Sequence, residues 1–115
     1  MDVMDLVERE DKNNLELLLN EWEAYIDELS TKEVALYQWK EVYNIKADTI
    51  IAETDFKALY GANNQKVRDQ HVKKELADWH ITIKDLEFSI DWLTRRIVYM
   101  RELIRTKRTL LEVKQ

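Results

Sequence analysis

Residues 72–111 read VKKELADWHITIKDLEFSIDWLTRRIVYMRELIRTKRTLL, and their periodicity decides the fold. The series Val72, Leu76, Trp79, Ile83, Leu86, Ile90, Leu93, Ile97, Met100, Ile104, Lys107 and Leu111 alternates steps of four and three without a fault. All but Lys107 are apolar. A helix of 3.6 residues per turn gathers such a series into one stripe, and a stripe held this long is a seam between helices. The spacing predicts a helix over about 64–112.

The first half repeats the pattern. Leu15, Leu18, Trp22, Tyr25, Leu29, Lys32, Leu36, Trp39, Tyr43, Lys46 and Ile50 also alternate three and four. Asn13 suits an N-cap, and Glu16 three residues on would close a capping box. A helix over about 14–53 follows. Ser30 with Glu33 forms a second possible capping box, but the heptad phase runs through it unshifted, which favours one continuous helix. Residues 1–12 place Val3, Leu6 and Val7 on one face and are expected to form a short helix or an arm.

Between the two tracts lie residues 54–63, expected as a short helical turn. Thr54 can cap it. Gly61, the only glycine, suits a left-handed helix C-terminus. Asn63 or Asn64 can cap the next helix. Two long helices joined by so short a connector become antiparallel neighbours, with arms of roughly 60 and 70 Å at 1.5 Å per residue. The expected fold class is all-α: an antiparallel long-helix hairpin, a coiled coil assembling into a helical bundle.

Composition agrees. The 115 residues include one glycine, no proline and no cysteine. Sheets need turns, and turns draw on glycine and proline. A glycine-rich phosphate loop is excluded, as are disulfides, thiolate zinc sites and thiol nucleophiles. No apolar run approaches the roughly 18–20 residues that span a bilayer, so no membrane contact is expected. The start is acidic, unlike a signal peptide, and a cytoplasmic location is expected.

The net charge of −5 hides a gradient. Residues 1–30 carry a net of −8, and residues 95–115 a net of +5. A hairpin brings these ends side by side. With the turn near residue 58, Glu21 is expected near Arg96 and Lys46 near Asp69. Lys32, Lys46 and Lys107 interrupt the seams. Their stems can pack while the ammonium groups reach water, and they can also fix register.

The second helix carries further apolar side chains off its seam: Ile81, Phe88, Trp92, Tyr99, Leu103 and Leu110. A helix apolar on two faces is packed on two faces. These six residues are the candidate interface, and a homodimer is the expected partner state. Folding of the N-terminal segment over the strip is the intramolecular alternative. Arg95, Arg96, Arg101, Arg105 and Arg108 interleave with or follow the strip. They are candidate contacts to nucleic acid or to an acidic partner. The plainer reading sets them beside the acidic arm, or near the helix C-terminus where the dipole favours cations.

His71, Glu75 and Asp78 share a helical face at metal-ligand spacing, but no second histidine is in phase. His80, beside the seam, reads as an edge residue. No catalytic combination of residues carries a supporting motif. No enzyme, metal or cofactor is expected.

Gly61-Ala62-Asn63-Asn64-Gln65-Lys66-Val67-Arg68, followed by a long heptad helix ending Arg101-Glu102-Leu103-Ile104-Arg105, resembles small helical coiled-coil accessory proteins of bacteriophages and prophages. Those pair a short Asn turn and a downstream Arg with a long charged helix. Several are encoded near recombination and single-strand-binding genes. The resemblance covers about residues 40–110, with Gln65 where an acidic residue is usual. It implies a phage accessory or inhibitor protein acting in a bacterial host cytoplasm, and it brings no catalytic residues. The functional expectation is a non-enzymatic helical module that binds a host or phage protein. The alternative is an accessory protein of single-stranded DNA recombination or replication.

Overall fold

The structure is a computed structural model that describes the backbone of residues 3–114 and the side chains of residues 12–113. The chain is all-α. Four helices follow in order: α1 (Val3–Glu53), α2 (Phe56–Tyr60), α3 (Gln65–Glu75) and α4 (Ala77–Lys114). They form the long-helix hairpin that the two heptad tracts predict. Two compact units divide it: a first unit of Met1–Thr31 with Ile90–Gln115, and a second of Lys32–Ser89.

The seams hold position by position. Every seam residue of the first tract is half-buried except Lys46, and none of the second tract is exposed. In the first unit, Leu93, Met100 and Ile104 are buried and Leu15, Leu18, Trp22, Tyr25 and Leu29 are half-buried. In the second unit, Phe56, Val72, Leu76 and Ile83 form the core. Burying one such side chain contributes about 1.5–3 kcal/mol.

α1 differs from expectation at its start. It begins at Val3, so residues 3–12 are neither a separate short helix nor an arm, and Asn13 lies inside the helix rather than capping it. Asn and Asp cost only about 0.7 kcal/mol each in a helix interior. No glycine or proline stands between Met1 and Glu53 to stop propagation. The side chains of Val3, Leu6 and Val7 lie outside the described residues. α1 also runs through Ser30 without a break.

The corner belongs to the second unit. Asp55, not Thr54, caps α2: its carboxylate accepts the Ala58 N–H at 3.1 Å. Thr54 remains tied to α1, its hydroxyl donating to the Ile50 carbonyl. Gly61 ends α2 at φ 71°, in the left-handed region, and its N–H donates to the Lys57 carbonyl at 2.9 Å. Asn64, in extended conformation, caps α3 by accepting the Val67 N–H at 3.0 Å. Arg68 Nη1 donates to Asn63 Oδ1 at 3.0 Å, pinning the connector from the far side.

The returning arm is not one helix over 64–112. It breaks at Leu76, whose φ of −109° and ψ of 30° leave the helical region. The N–H of Leu76 still donates to Val72, and its carbonyl accepts from His80. Two sets of contacts flank the break. α3 is tied to α2 through Tyr60 Oη and His71 Nδ1, hydrogen-bonded at 2.7 Å, and through the edge of His71 against Phe56. α4 is tied to α1 through Trp39 and Trp79, with ring centroids 4.5 Å apart. Leu76 absorbs the adjustment between corner and seam while staying buried.

Candidate functional site

α4 leaves apolar side chains in water in both units. In the second unit, Ile81 and Phe88 are exposed, Phe88 at 74%. In the first unit, Trp92, Tyr99 and Leu110 are exposed. Leu103 is not; it is half-buried and belongs to the margin of the seam. Trp92 is also less open than the sequence suggests. Its indole meets the Tyr25 ring edge-on at 5.8 Å, so one side is covered from α1.

α1 adds exposed apolar residues that the heptad reading passed over: Leu17 in the first unit, and Val34, Tyr37 and Ile45 in the second. The signal was present, since all four are apolar and off the seam. Scattered single apolar residues are normal on any surface.

The arginines separate into two groups, both in the first unit. Arg95 and Arg96 are engaged within α4. Arg95 pairs with Asp91 at 3.1 Å. Arg96 is half-buried, its guanidinium lies 5.2 Å from the Tyr99 ring centroid, and its Nε finds no hydrogen-bond partner. Neither of them lines the groove that the other three share. Arg101, Arg105 and Arg108, in contrast, converge. Together with Leu19, Trp22, Ile104, Thr109 and Glu112 they line one groove of about 340 Å³. Trp22 is fixed at its wall by its indole N–H, which donates to the Ile97 carbonyl at 3.2 Å. Arg105 and Arg101 share the carboxylate of Glu102, at 3.4 and 3.9 Å.

Among the described residues, the expected neutralisation of the acidic arm by the basic end does not take the form of ion pairs. Among the described residues of the first unit, every ion pair lies within α4. Glu21 accepts the Tyr25 hydroxyl at 3.2 Å instead of meeting Arg96. The register was nearly right, since Trp22 bonds Ile97, but the charges chose nearer partners. Exposed pairs contribute only about 0–1 kcal/mol, too little to hold long side chains across a seam when a neighbour one turn away is available.

Lys46 likewise ignores Asp69. Its ammonium sits 5.1 Å from the Trp79 ring centroid, while Asp69 accepts the Gln65 amide at 2.8 Å. The ion pair that does join α1 to α4 is Lys40–Glu87, at 3.2 Å in the second unit. Lys84 adds a contact to the same carboxylate at 3.3 Å. Hydrogen bonds from Lys40 and then Lys84 hold the Glu87 carboxyl below its ordinary value of 4.5.

His71 is occupied by Tyr60, and among the described residues no cluster of three His, Asp or Glu side chains is arranged to hold a metal ion. No described helix is long and apolar enough to cross a membrane. No protein-family model, no curated protein and no solved structure matches the chain.

Proposed function

We propose that this chain is a non-enzymatic helical interaction module that pairs with a second copy of itself through α4 and, so assembled, binds a protein partner. The observation that carries the reading is that each unit leaves apolar side chains of α4 exposed, Ile81 and Phe88 in the second and Trp92, Tyr99 and Leu110 in the first. Exposed aromatic and aliphatic groups gathered on one helix mark interfaces more often than free surface.

The spacing of the strip favours a second copy as the occupant. Positions 81, 88, 92, 99, 103 and 110 are separated by seven, four, seven, four and seven residues, a series that reads the same from either end. Two antiparallel α4 helices therefore match Ile81 with Leu110 and Trp92 with Tyr99 of the other copy, while Phe88 meets the half-buried Leu103 at the seam margin. A two-fold interface requires such self-matching. The centre of that arrangement falls between Arg95 and Arg96. Asp91 and the Tyr99 ring already engage those guanidiniums, which softens the repulsion between copies.

The bacteriophage setting, with a host or phage protein as target, is part of the proposal and draws only on the resemblance of residues 61–68 and the helix after them.

Thermal unfolding at several protein concentrations tests the self-pairing. A dimer that unfolds to monomers shows a melting temperature that rises with concentration. A melting temperature independent of concentration over about 1–200 μM, with the chain monomeric throughout, contradicts the reading.

A further inference from the structure

The groove between α1 and α4 in the first unit has the makings of a ligand site that the interface reading does not use. Its lining divides by chemistry. Leu19, Trp22 and Ile104 supply an apolar, partly aromatic wall. Arg101, Arg105 and Arg108 supply three guanidiniums along one side, and Glu112 supplies one carboxylate. Steps of four and three residues keep the three arginines on one face of α4 over roughly 10 Å of its length. All three are exposed.

We propose that this groove binds a nucleoside phosphate, either free or carried in a single strand of nucleic acid. Guanidiniums recognise phosphate through paired, charge-assisted hydrogen bonds, and a phosphate can span two of them at once. A simple anion would leave the apolar wall unused. A base has a flat π-face that packs on an indole whatever its sequence. The Trp22 ring needs no reordering for that role, because the Ile97 carbonyl already holds its N–H. Glu112 adds one carboxylate acceptor to the lining. The groove volume of about 340 Å³ lies within the range of small-ligand sites, so one nucleotide unit fills it. The three guanidiniums are a local concentration of positive charge, since residues 1–30 of the same unit carry −8 against the +5 of residues 95–115.

None of the groove residues belongs to the exposed strip of α4, so the site is independent of self-pairing. The test uses the full chain at about 50 mM salt. The probes are a fluorescein-labelled single-stranded oligonucleotide read by anisotropy, adenosine monophosphate read by tryptophan quenching, and polyglutamate as a competitor. The proposal expects saturable binding of the strand or of the mononucleotide. Binding of the strand alone assigns the ligand to nucleic acid, and binding of both assigns it to the nucleotide unit.

Arg105→Gln should weaken binding about tenfold, and Arg101→Gln or Arg108→Gln comparably, with each loss lowering the salt dependence by about one phosphate contact. Arg95→Gln, outside the groove, should leave affinity unchanged, as should the pair Phe88→Glu with Trp92→Glu. Four results overturn the proposal: no binding of either nucleotide probe at low salt; polyglutamate competing as strongly as the strand; Arg105→Gln binding as tightly as wild type; or Arg95→Gln weakening binding as much as Arg105→Gln. Circular dichroism of each variant confirms that the helices remain, as expected for exposed side chains.

Discussion

The indole N–H of Trp22 donates to the main-chain carbonyl of Ile97 across 75 positions of sequence. That carbonyl is inside α4, so one side chain of α1 reads the backbone of the returning helix directly. Apolar seams can slip by a heptad with little change in burial. A directional bond from a half-buried indole to one carbonyl disfavours that slip. Trp22→Phe keeps most of the ring and deletes the donor. The expected loss is about 1 kcal/mol, the net worth of one such bond, read from urea unfolding. An unchanged midpoint would show that the bond contributes nothing to register or stability.

Gly61 sits at φ 71° with no atom within 4 Å of the place a Cβ would occupy. Gly61→Ala therefore meets no clash, and its whole cost is the left-handed backbone, about 1–2 kcal/mol. Gly61→Asn should cost less, because Asn tolerates that region better. Equal stability of the Ala variant and wild type would remove the reason for the only glycine in the chain.

The corner caps give a matched pair of tests. Asp55→Ala and Asn64→Ala each delete a side-chain acceptor for one helix N-terminus. Each should cost about 1 kcal/mol in chemical denaturation. Thr54→Val should cost less, since Thr54 only returns a hydrogen bond to its own helix. A ranking with Thr54 as the costliest of the three would restore the cap that its sequence position first suggests.

How much of this was legible in the sequence follows from the kind of interaction involved. Burial follows residue type and spacing, so the two seams could be read position by position, from Leu15 to Ile50 and from Val72 to Leu111. Gly61 was legible because a positive φ nearly demands glycine. The break at Leu76 was not. Heptad phase passes through it unshifted, and the contacts that flank it, His71 with Tyr60 and Trp39 with Trp79, exist only in the folded chain. The ion pairs were misread for a related reason. Charge balance between the two ends predicts proximity, not partners, and Arg95 and Arg105 found carboxylates one turn away on their own helix. Arg101, Arg105 and Arg108 recur at helical spacing in the sequence, whereas the Leu19–Trp22 wall that lines the same groove depends on the register of the two helices.

Glu87 gives the account a dependence on pH. Its carboxyl is held below 4.5 in the folded chain, first by Lys40 and then by Lys84. A depressed acid contributes stability above its unfolded value and loses it as pH falls through the folded one. Stability should therefore drop below about pH 4.5 partly through this group. Glu87→Gln should flatten that limb and leave the neutral region little changed. Nuclear magnetic resonance titration of Glu87, with and without Lys40→Ala, checks the cause: the midpoint should rise toward the ordinary value when Lys40 is removed.

The pairing register of two α4 helices can be read with single cysteines, since the chain has none of its own. In the antiparallel arrangement Arg95 lies beside its counterpart near the two-fold axis. Arg95→Cys should form a disulfide-linked dimer under mild oxidation, whereas Thr109→Cys should not. Crosslinking at residue 109 with none at 95 would point to another pairing.

The claim at the centre of the account is that the exposed face of α4 joins two copies, and sedimentation equilibrium measures it most directly. Wild type should reach twice the chain mass at micromolar concentration. The double variant Phe88→Glu with Trp92→Glu should sediment as a folded monomer, its helix content kept because the seam residues are untouched and only the edge contact of Trp92 with Tyr25 is lost. Wild type that sediments as a monomer at every concentration, or a double variant that dimerises as tightly as wild type, would contradict the account.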